Sequence, residues 1–464
     1  MPNATLHREI NPILNLTCIL VTLITVVILA TPYFFLAPAP ALMVLGFLWL
    51  SRWPASGYYF IIFLIPFGAY RGYKFIQVPW LIALGLLIVV ILRYLPKKRH
   101  PQGGQFSMLA WLIIFFILNT LSTILSPYPS TAIRNLILFA IGFLFVLLGL
   151  VFISKKGMRI TLPAILISSI SLCSFLAIVG YFFNIPLFAE KVTSGAFKRG
   201  LGGTTDPNNL ALMIIVGFPF LVYYLFYADR FWVRALFFVL IGINGLGLVT
   251  TFSRSGALVL LLVYGILFVA HFKKLTPKLM GIFIGAVGIS LILFYFTIPE
   301  GYVERQLSVL QATDKSMGRR TSYLYVAWDT IKKNPLLGTG PGTFPDIYAR
   351  TDYAEKYTSV NKSPRRFAHN SYLEIAVGSG LLGLAAFLFV IGSAMVNFIK
   401  AQAQYLRAGE LKTAALVKTF RISFTGLCLY LLVFSEPLHK HFLVLLVLSE
   451  VVRRYAPGKV NVTP

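Results

Sequence analysis

TAIRNLILFAIGFLFVLLGLVFI, residues 131–153, decides the fold. After Arg134 it reaches Ile153 without a charged side chain, and about 20 apolar residues are what a helix needs to cross the hydrocarbon core of a bilayer. Comparable runs lie at 12–31, 38–51, 57–70, 78–95, 107–126, 161–183, 207–227, 235–251, 256–271, 279–298, 371–398, 419–434 and 438–452. The whole chain agrees with this stretch. Its 464 residues are 58% hydrophobic and 12% charged, against roughly 25% charged in soluble domains, which excludes a water-soluble globule. Cys18, Cys173 and Cys428 all sit inside apolar runs and read as small core hydrophobes, which excludes a disulfide scaffold.

The expected fold is therefore an all-α polytopic membrane protein with about 14 spans and 12 as the alternative count. The runs at 38–51 and 57–70 are short and interrupted by Pro54 and Pro66, and the closing pair at 419–452 is short enough for a re-entrant hairpin. Four regions follow: N-terminal spans over 1–183, spans with short arginine-bearing loops over 184–298, one long outer segment over 299–369, and C-terminal spans over 370–464.

Lys and Arg total 41 against 15 acids, a net charge of +26. In a soluble chain that balance points to nucleic acid. Here cytoplasmic loops that resist translocation account for it, and nucleic acid is not an expected partner. KKRH at 97–100, KKGMR at 155–159, Asp229–Arg234, HFKK at 271–274, the stretch 399–418 and Arg453–Arg454 fall at alternating ends of the spans. Placing the N terminus inside makes all of them cytoplasmic, along with both termini. The run after Arg8 is too long for a cleavable signal and lacks a small-residue cleavage site, so it reads as the first span.

Three basic groups then stand outside, against the rule: Lys198–Arg199, Arg254 in TFSRSG, and the cluster in 299–369. Long loops translocate largely regardless of charge, so Arg199 and Arg254, in short loops, carry more information. Outward arginines at a membrane surface suggest an anionic ligand. Within the long segment, Leu324, Trp328 and Ile331 share a helical face, with Arg320 and Lys332–Lys333 beside it, and Asn334–Pro335 ends the helix. The pattern predicts an amphipathic helix in the interface. GTGPGTF at 338–344 lacks the strand and lysine–hydroxyl ending of a P-loop and reads as a sharp bend.

His369 is the histidine placed for chemistry. It follows Arg365 and Arg366, precedes Asn370, and stands where the outer segment meets a span, as a general base beside an anion site would. His439 and His441 flank Lys440 in the last outer turn without a convergent set of metal ligands. No Asp-x-Asp and no His-Glu-x-x-His occurs, so no metal and no cofactor is expected. Arg134, Asp206, Arg254 and Glu436 all lie near span ends, where a coupled transporter would place charges at mid-membrane.

Four strings occur in order: RGLGGTTDPNNLA at 199–211, TFSRSGALVL at 251–260, RTSYLYVAWDTIKKNPLLGTGPGTF at 320–344 and HNSYLEIAVGSGLLG at 369–383. Together they resemble the O-antigen ligase superfamily, which includes related polysaccharide polymerases. The likeness covers about 195–395. It implies a GT-C-like glycosyltransferase of the bacterial inner membrane, with its active site on the periplasmic face. The implied reaction takes a glycan from undecaprenyl diphosphate and transfers it, metal-free and with inversion, to an acceptor hydroxyl. By the same likeness His369 is the base and Arg199 and Arg320 hold the diphosphate. Arg319 adjoins Arg320, and Arg320 is preferred because its distance to Pro335 fits the pattern. Arg254 suits either substrate binding or the turn itself. Asn370 suits either the site or the cap of the following span. The implied partners are the lipid-linked glycan, the bilayer, and an acceptor: lipid A core for a ligase, a second glycan for a polymerase. The reading of another class is a transporter or flippase of lipid-linked anionic sugar.

Overall fold

The computed structural model describes residues 12–31, 37–68, 78–93, 107–191, 198–271, 315–357 and 363–458. The span expected at 279–298 and the first part of the outer segment, 299–314, lie outside them. Among the described residues the regular structure is helical apart from one two-stranded hairpin, β1 (Ala189–Lys191) with β2 (Lys198–Gly200). The protein is an all-α polytopic membrane protein. Among the described residues, five helical segments are long and apolar enough to cross a bilayer: Pro129–Phe152, Gly157–Phe183, Pro207–Tyr227, Phe231–Thr251 and Ser371–Arg407. Shorter apolar helices occupy most of the other expected positions.

The chain divides into two compact units. The smaller holds α1 (Pro12–Leu29), α2 (Ala39–Arg52) and α4 (Val78–Arg93), and α3 (Pro54–Leu64) begins in it. Gly57 and Gly85 make room there for Leu50, whose methyls would lie 2.2 and 2.8 Å from a Cβ at either position. That space lets α2 pack on α4.

The larger unit contains α5 (Ser107–Ile124), α6 (Pro129–Phe152), α7 (Leu162–Phe183), α8 (Pro207–Tyr227), α9 (Phe231–Thr251) and α10 (Arg254–His271). After them come α11 (Lys315–Lys333), two short helices α12 (Phe344–Tyr348) and α13 (Asp352–Tyr357), then α14 (Ser371–Arg407), α15 (Leu411–Tyr430) and α16 (Lys440–Arg454). Leu210 through Tyr223 of α8 are buried without interruption, so this helix is apolar all round because it is covered all round. α14 packs on α5, α15 and α16, and Phe387, Phe398, Phe424 and Phe442 stack through that contact at centroid spacings of 5.5 to 5.8 Å. Exposed Trp232, Leu261, Leu262, Val269 and Phe389 present the apolar exterior that a bilayer covers.

The basic turns of the larger unit gather at one end. Arg159 and Lys155 pair with Glu410, Lys412 pairs with Asp229 at 3.0 Å, and Arg454 donates to the Leu150 carbonyl at 2.6 Å. The opposite end collects the β-hairpin, the 251–254 turn and the start of α14.

α14 is broken within the span. Gly380 has φ 68° and ψ −174°, which interrupts the helical ladder and exposes backbone groups where no water satisfies them. The chain after α11 repairs the gap. Thr339 and Gly340 donate N–H bonds to the Val377 and Gly378 carbonyls at 3.0 and 2.8 Å, and Leu381 and Leu382 donate to Pro335 and Leu336 at 2.8 and 3.3 Å. GTGPGTF is thus a bend, as expected, and two of its amides are committed to α14. The nine residues from Ser371 to Ser379 form a separate half-helix locked to that bend, and this half-helix carries His369 at its head.

Candidate active site

The loop before α8 lies against α7 because its glycines allow it. A Cβ on Gly202, which has φ +61°, would sit 2.0 Å from the Cys173 carbonyl oxygen. Leu201 N–H donates to the Phe188 carbonyl at 2.7 Å, fixing the path from β2 to α8. Asp206 caps α8, its Oδ1 accepting from Asn208 N–H at 2.6 Å.

Arg199 stands on β2, register-paired with Glu190 on β1. Its Nε donates to the Thr251 carbonyl at 2.7 Å, one Nη reaches Asn208 Oδ1 at 3.4 Å, and the other lies 4.0 Å from Glu190 Oε1. Burial raises the Glu190 carboxyl above its ordinary range, against the opposing pull of Arg199. Asn208 ties three elements together: its Oδ1 also accepts from Ser253 Oγ at 2.9 Å, and its carbonyl accepts from the Tyr430 hydroxyl at 3.1 Å. TFSRSG therefore supports Arg199 through the Thr251 carbonyl, with Phe252 left-handed at φ 48° in the turn. Arg254 opens α10 with its side chain exposed.

α11 has two faces. Tyr323, Val326, Ala327 and Ile331 are buried against Phe344, Tyr348, Ala376 and Val377. Leu324, Tyr325 and Trp328 are exposed, Trp328 to 59%. Ile331, expected beside Leu324 and Trp328, turns inward instead, because the helix's buried stripe reaches it through Ala327. Arg319 and Arg320 occupy the early turns of α11, half-buried and exposed respectively.

His369 receives α11 directly. The Tyr323 ring lies 6.0 Å from the imidazole, centroid to centroid, and 4.9 Å from Tyr348. Burial and Tyr348 push the Tyr323 phenol up, against Arg319, Arg366 and Arg320. The His369 backbone is left-handed at φ 52°, a conformation uncommon for a residue with a side chain and more frequent for His, Asn and Asp. Its imidazole has an exposed edge, yet the surrounding protein removes enough water that burial is the largest influence on its proton affinity. Burial lowers the pKa from 6.5, Arg320 lowers it further, Asp206 opposes, and Arg319 and Arg366 lower it again. Burial and the nearby guanidinium groups both favour the unprotonated imidazole.

Arg319, Arg320, Arg366 and Asp206 all act electrostatically on His369, and Asp206 acts also on Glu190, the register partner of Arg199. Asn370 spends its amide oxygen on the N-terminus of α14, accepting from Leu373 N–H at 3.0 Å. His439 and His441 are buried and stacked at 5.3 Å, and His439 Nδ1 accepts the His441 N–H as a cap for α16.

Sequence reading placed Arg366 just before His369 but assigned neither Asp206 nor Tyr323 to its surroundings. The pairing of Tyr323 with Tyr348 and Phe344 depends on a turn that no local pattern announces.

Residues 236–388 match a family model described as O-antigen ligase. The match bears out the resemblance. It runs from α9 to the middle of α14, taking in Arg254, Arg319, Arg320, His369 and Asn370 and leaving Arg199 and Asp206 outside. The α14 break and the bend that repairs it both fall within the family segment. No curated protein matches the chain. The O-antigen ligase family contains ligase and polymerase types of membrane enzyme.

Proposed function

We propose that the protein is a membrane glycosyltransferase that moves a glycan en bloc from undecaprenyl diphosphate to an acceptor hydroxyl, as an O-antigen ligase acting onto lipid A core. The observation that carries this reading is His369 at the head of α14, its imidazole 6.0 Å from the Tyr323 ring of the helix that bears Arg319 and Arg320. The acceptor hydroxyl gives its proton to the imidazole as its oxygen bonds to the anomeric carbon. The bond from that carbon to the phosphate oxygen breaks, and the electron pair leaves with the diphosphate. Attack opposite the leaving group inverts the anomeric centre.

A positioned base of suitable pKa contributes roughly 10²–10⁴-fold. Guanidinium forks bind phosphate oxygens bidentately, and donors aimed at growing negative charge lower the barrier most in a water-poor site. Arg320, Arg319 and Arg366 fill that part beside His369, with Arg199 on the hairpin side; Arg254 and Asn370 contribute to substrate binding at the edges. The step draws on no metal. On this reading the site faces the periplasm and opens sideways to the outer leaflet, since a polyprenyl tail stays in hydrocarbon, while the basic turns at the other end face the cytoplasm with both termini.

α11 is the interfacial helix of this arrangement. Leu336, just beyond α11, is exposed, and its carbonyl accepts from Leu382 N–H of α14, which ties this end of α11 to a candidate span and supports the reading. Leu324, Trp328 and Leu336 continue outward from that point, and Lys332 lies over the Trp328 ring at 5.2 Å. An aromatic and leucine stripe edged by lysine suits the headgroup boundary.

The test uses purified protein in lipid, a carrier-linked oligosaccharide and two acceptors offered separately with chelator present. Product on lipid A core supports the ligase. A ladder of longer carrier-linked glycans assigns the polymerase. Donor binding without product on either acceptor contradicts a transferase and favours a transporter.

A further inference from the structure

Glu374 lies in the first turn of α14 and is 7% exposed. Its Oε1 accepts the Ala368 N–H at 2.7 Å. The Asn370 N–H donates to Ser435 Oγ at 3.2 Å, and the Ser435 hydroxyl lies beside the Glu374 carboxyl. The N–H groups of the residues before and after His369 are therefore both held, the first by the buried Glu374 carboxyl and the second by the Ser435 hydroxyl. Between them His369 holds φ 52°, which a residue with a side chain keeps only where its surroundings over-determine it.

The α14 N-terminus does not require this carboxylate. Asn370 already caps the helix, and a capping-box acid would stand at Leu373 and return to the cap residue itself. Glu374 stands one residue later and reaches past the cap to Ala368. The neighbouring segment is fastened separately, with Ser371 N–H donating to the Leu431 carbonyl at 2.9 Å and Ser371 Oγ to the Phe434 carbonyl at 2.6 Å. What remains for Glu374 is the Phe367–Ala368 peptide, just before His369. A buried acid costs desolvation unless its hydrogen bonds repay it, and the Ala368 N–H supplies one.

We propose that Glu374 is the positioning residue of the base: it holds the Phe367–Ala368 peptide while Ser435 holds the His369–Asn370 peptide, and this fixes the backbone before and after His369 and so aims the imidazole at the reacting hydroxyl. The inference rests on His369 being that base. It acts through geometry alone, so its loss lowers turnover and leaves the donor site intact. Displacement of a catalytic group by about 1 Å costs on the order of 10²-fold in rate.

The experiment compares wild type with Glu374→Ala, Glu374→Gln, Ser435→Ala and His369→Ala. Each is full-length in lipid and is measured for kcat, donor KM, equilibrium donor binding and thermal unfolding. Glu374→Ala is expected to lower kcat about 10- to 100-fold with donor binding within twofold of wild type. Glu374→Gln keeps an acceptor for the Ala368 N–H and is expected to recover most of that loss. Ser435→Ala, a milder change, is expected to lower kcat severalfold at constant donor KM, and it decides the matter if Glu374→Ala fails to fold. Unchanged kcat in Ser435→Ala and Glu374→Ala overturns the proposal, as does a parallel loss of donor binding and thermal stability. An active His369→Ala instead removes the base itself. An inactive His369→Ala beside an active Glu374→Ala removes only the role given to Glu374.

Discussion

The Tyr323 ring lies 6.0 Å from the His369 imidazole, centroid to centroid, and this contact joins the arginine-bearing helix to the head of α14. Arg319 and Arg320 precede Tyr323 by one turn, so the packing that buries Tyr323 also sets where the guanidinium groups stand relative to the histidine.

Removing that ring should loosen both. Tyr323 is 3% exposed among Phe344, Tyr348 and Val377, and deleting a buried aromatic side chain costs roughly 3–5 kcal/mol. Tyr323→Ala is expected to lower the thermal midpoint and turnover together. Tyr323→Phe keeps the ring and is expected to retain both, as thermal unfolding and transfer assays on the same preparations would register.

The pH dependence has a defined sign. His369 is a base only when unprotonated, and its pKa is lowered from 6.5, so activity falls only as pH drops through that lowered value. Arg320→Ala removes a positive charge that lowers the pKa, and should move the acid limb of kcat/KM to higher pH. Asp206→Asn removes the charge that raises it, and should move the limb to lower pH. Profiles of the two variants that shift in the same direction would contradict the assignment.

Gly380 and Gly392 in α14 form an internal comparison. Gly380 has φ +68°, and a Cβ there would meet the Leu336 oxygen at 2.1 Å; a Cβ on Gly392 meets nothing within 4 Å. That combination of positive φ and extended ψ is essentially confined to glycine and costs an alanine about 1–3 kcal/mol, before the clash with the repairing bend is counted. Gly380→Ala is expected to reduce folded yield and thermal midpoint, and Gly392→Ala to leave both near wild type.

Much of the fold was legible because membrane spans announce themselves by composition. The stretch 131–153 appears as Pro129–Phe152, 207–227 coincides with α8, and 161–183 with α7. The break at Gly380 was not legible. GSGLLG reads as helix with small residues, and the backbone partners that allow it to open come from residues 335–340, far away in sequence. His369 stood out by position, at the junction of an arginine-rich segment and a span. Asp206 did not, since its effect on His369 arises from the folding of the 199–206 loop over α7. Asn370 was legible in both its readings, and its side-chain oxygen caps the helix.

The interfacial placement of α11 is open to a depth measurement. With Trp328 as the only tryptophan retained, brominated lipids should quench its emission most strongly when the bromine sits near the headgroups. Quenching only by soluble iodide would place this helix in bulk water and contradict the arrangement.

The central claim is tested most directly by His369 itself. Purified His369→Ala in lipid, supplied with the carrier-linked donor and the preferred acceptor, is assayed in a single turnover alongside equilibrium donor binding. The account predicts donor binding near wild type and transfer reduced by roughly 10²–10⁴-fold, the contribution of a general base. Undiminished transfer by the alanine variant would contradict it.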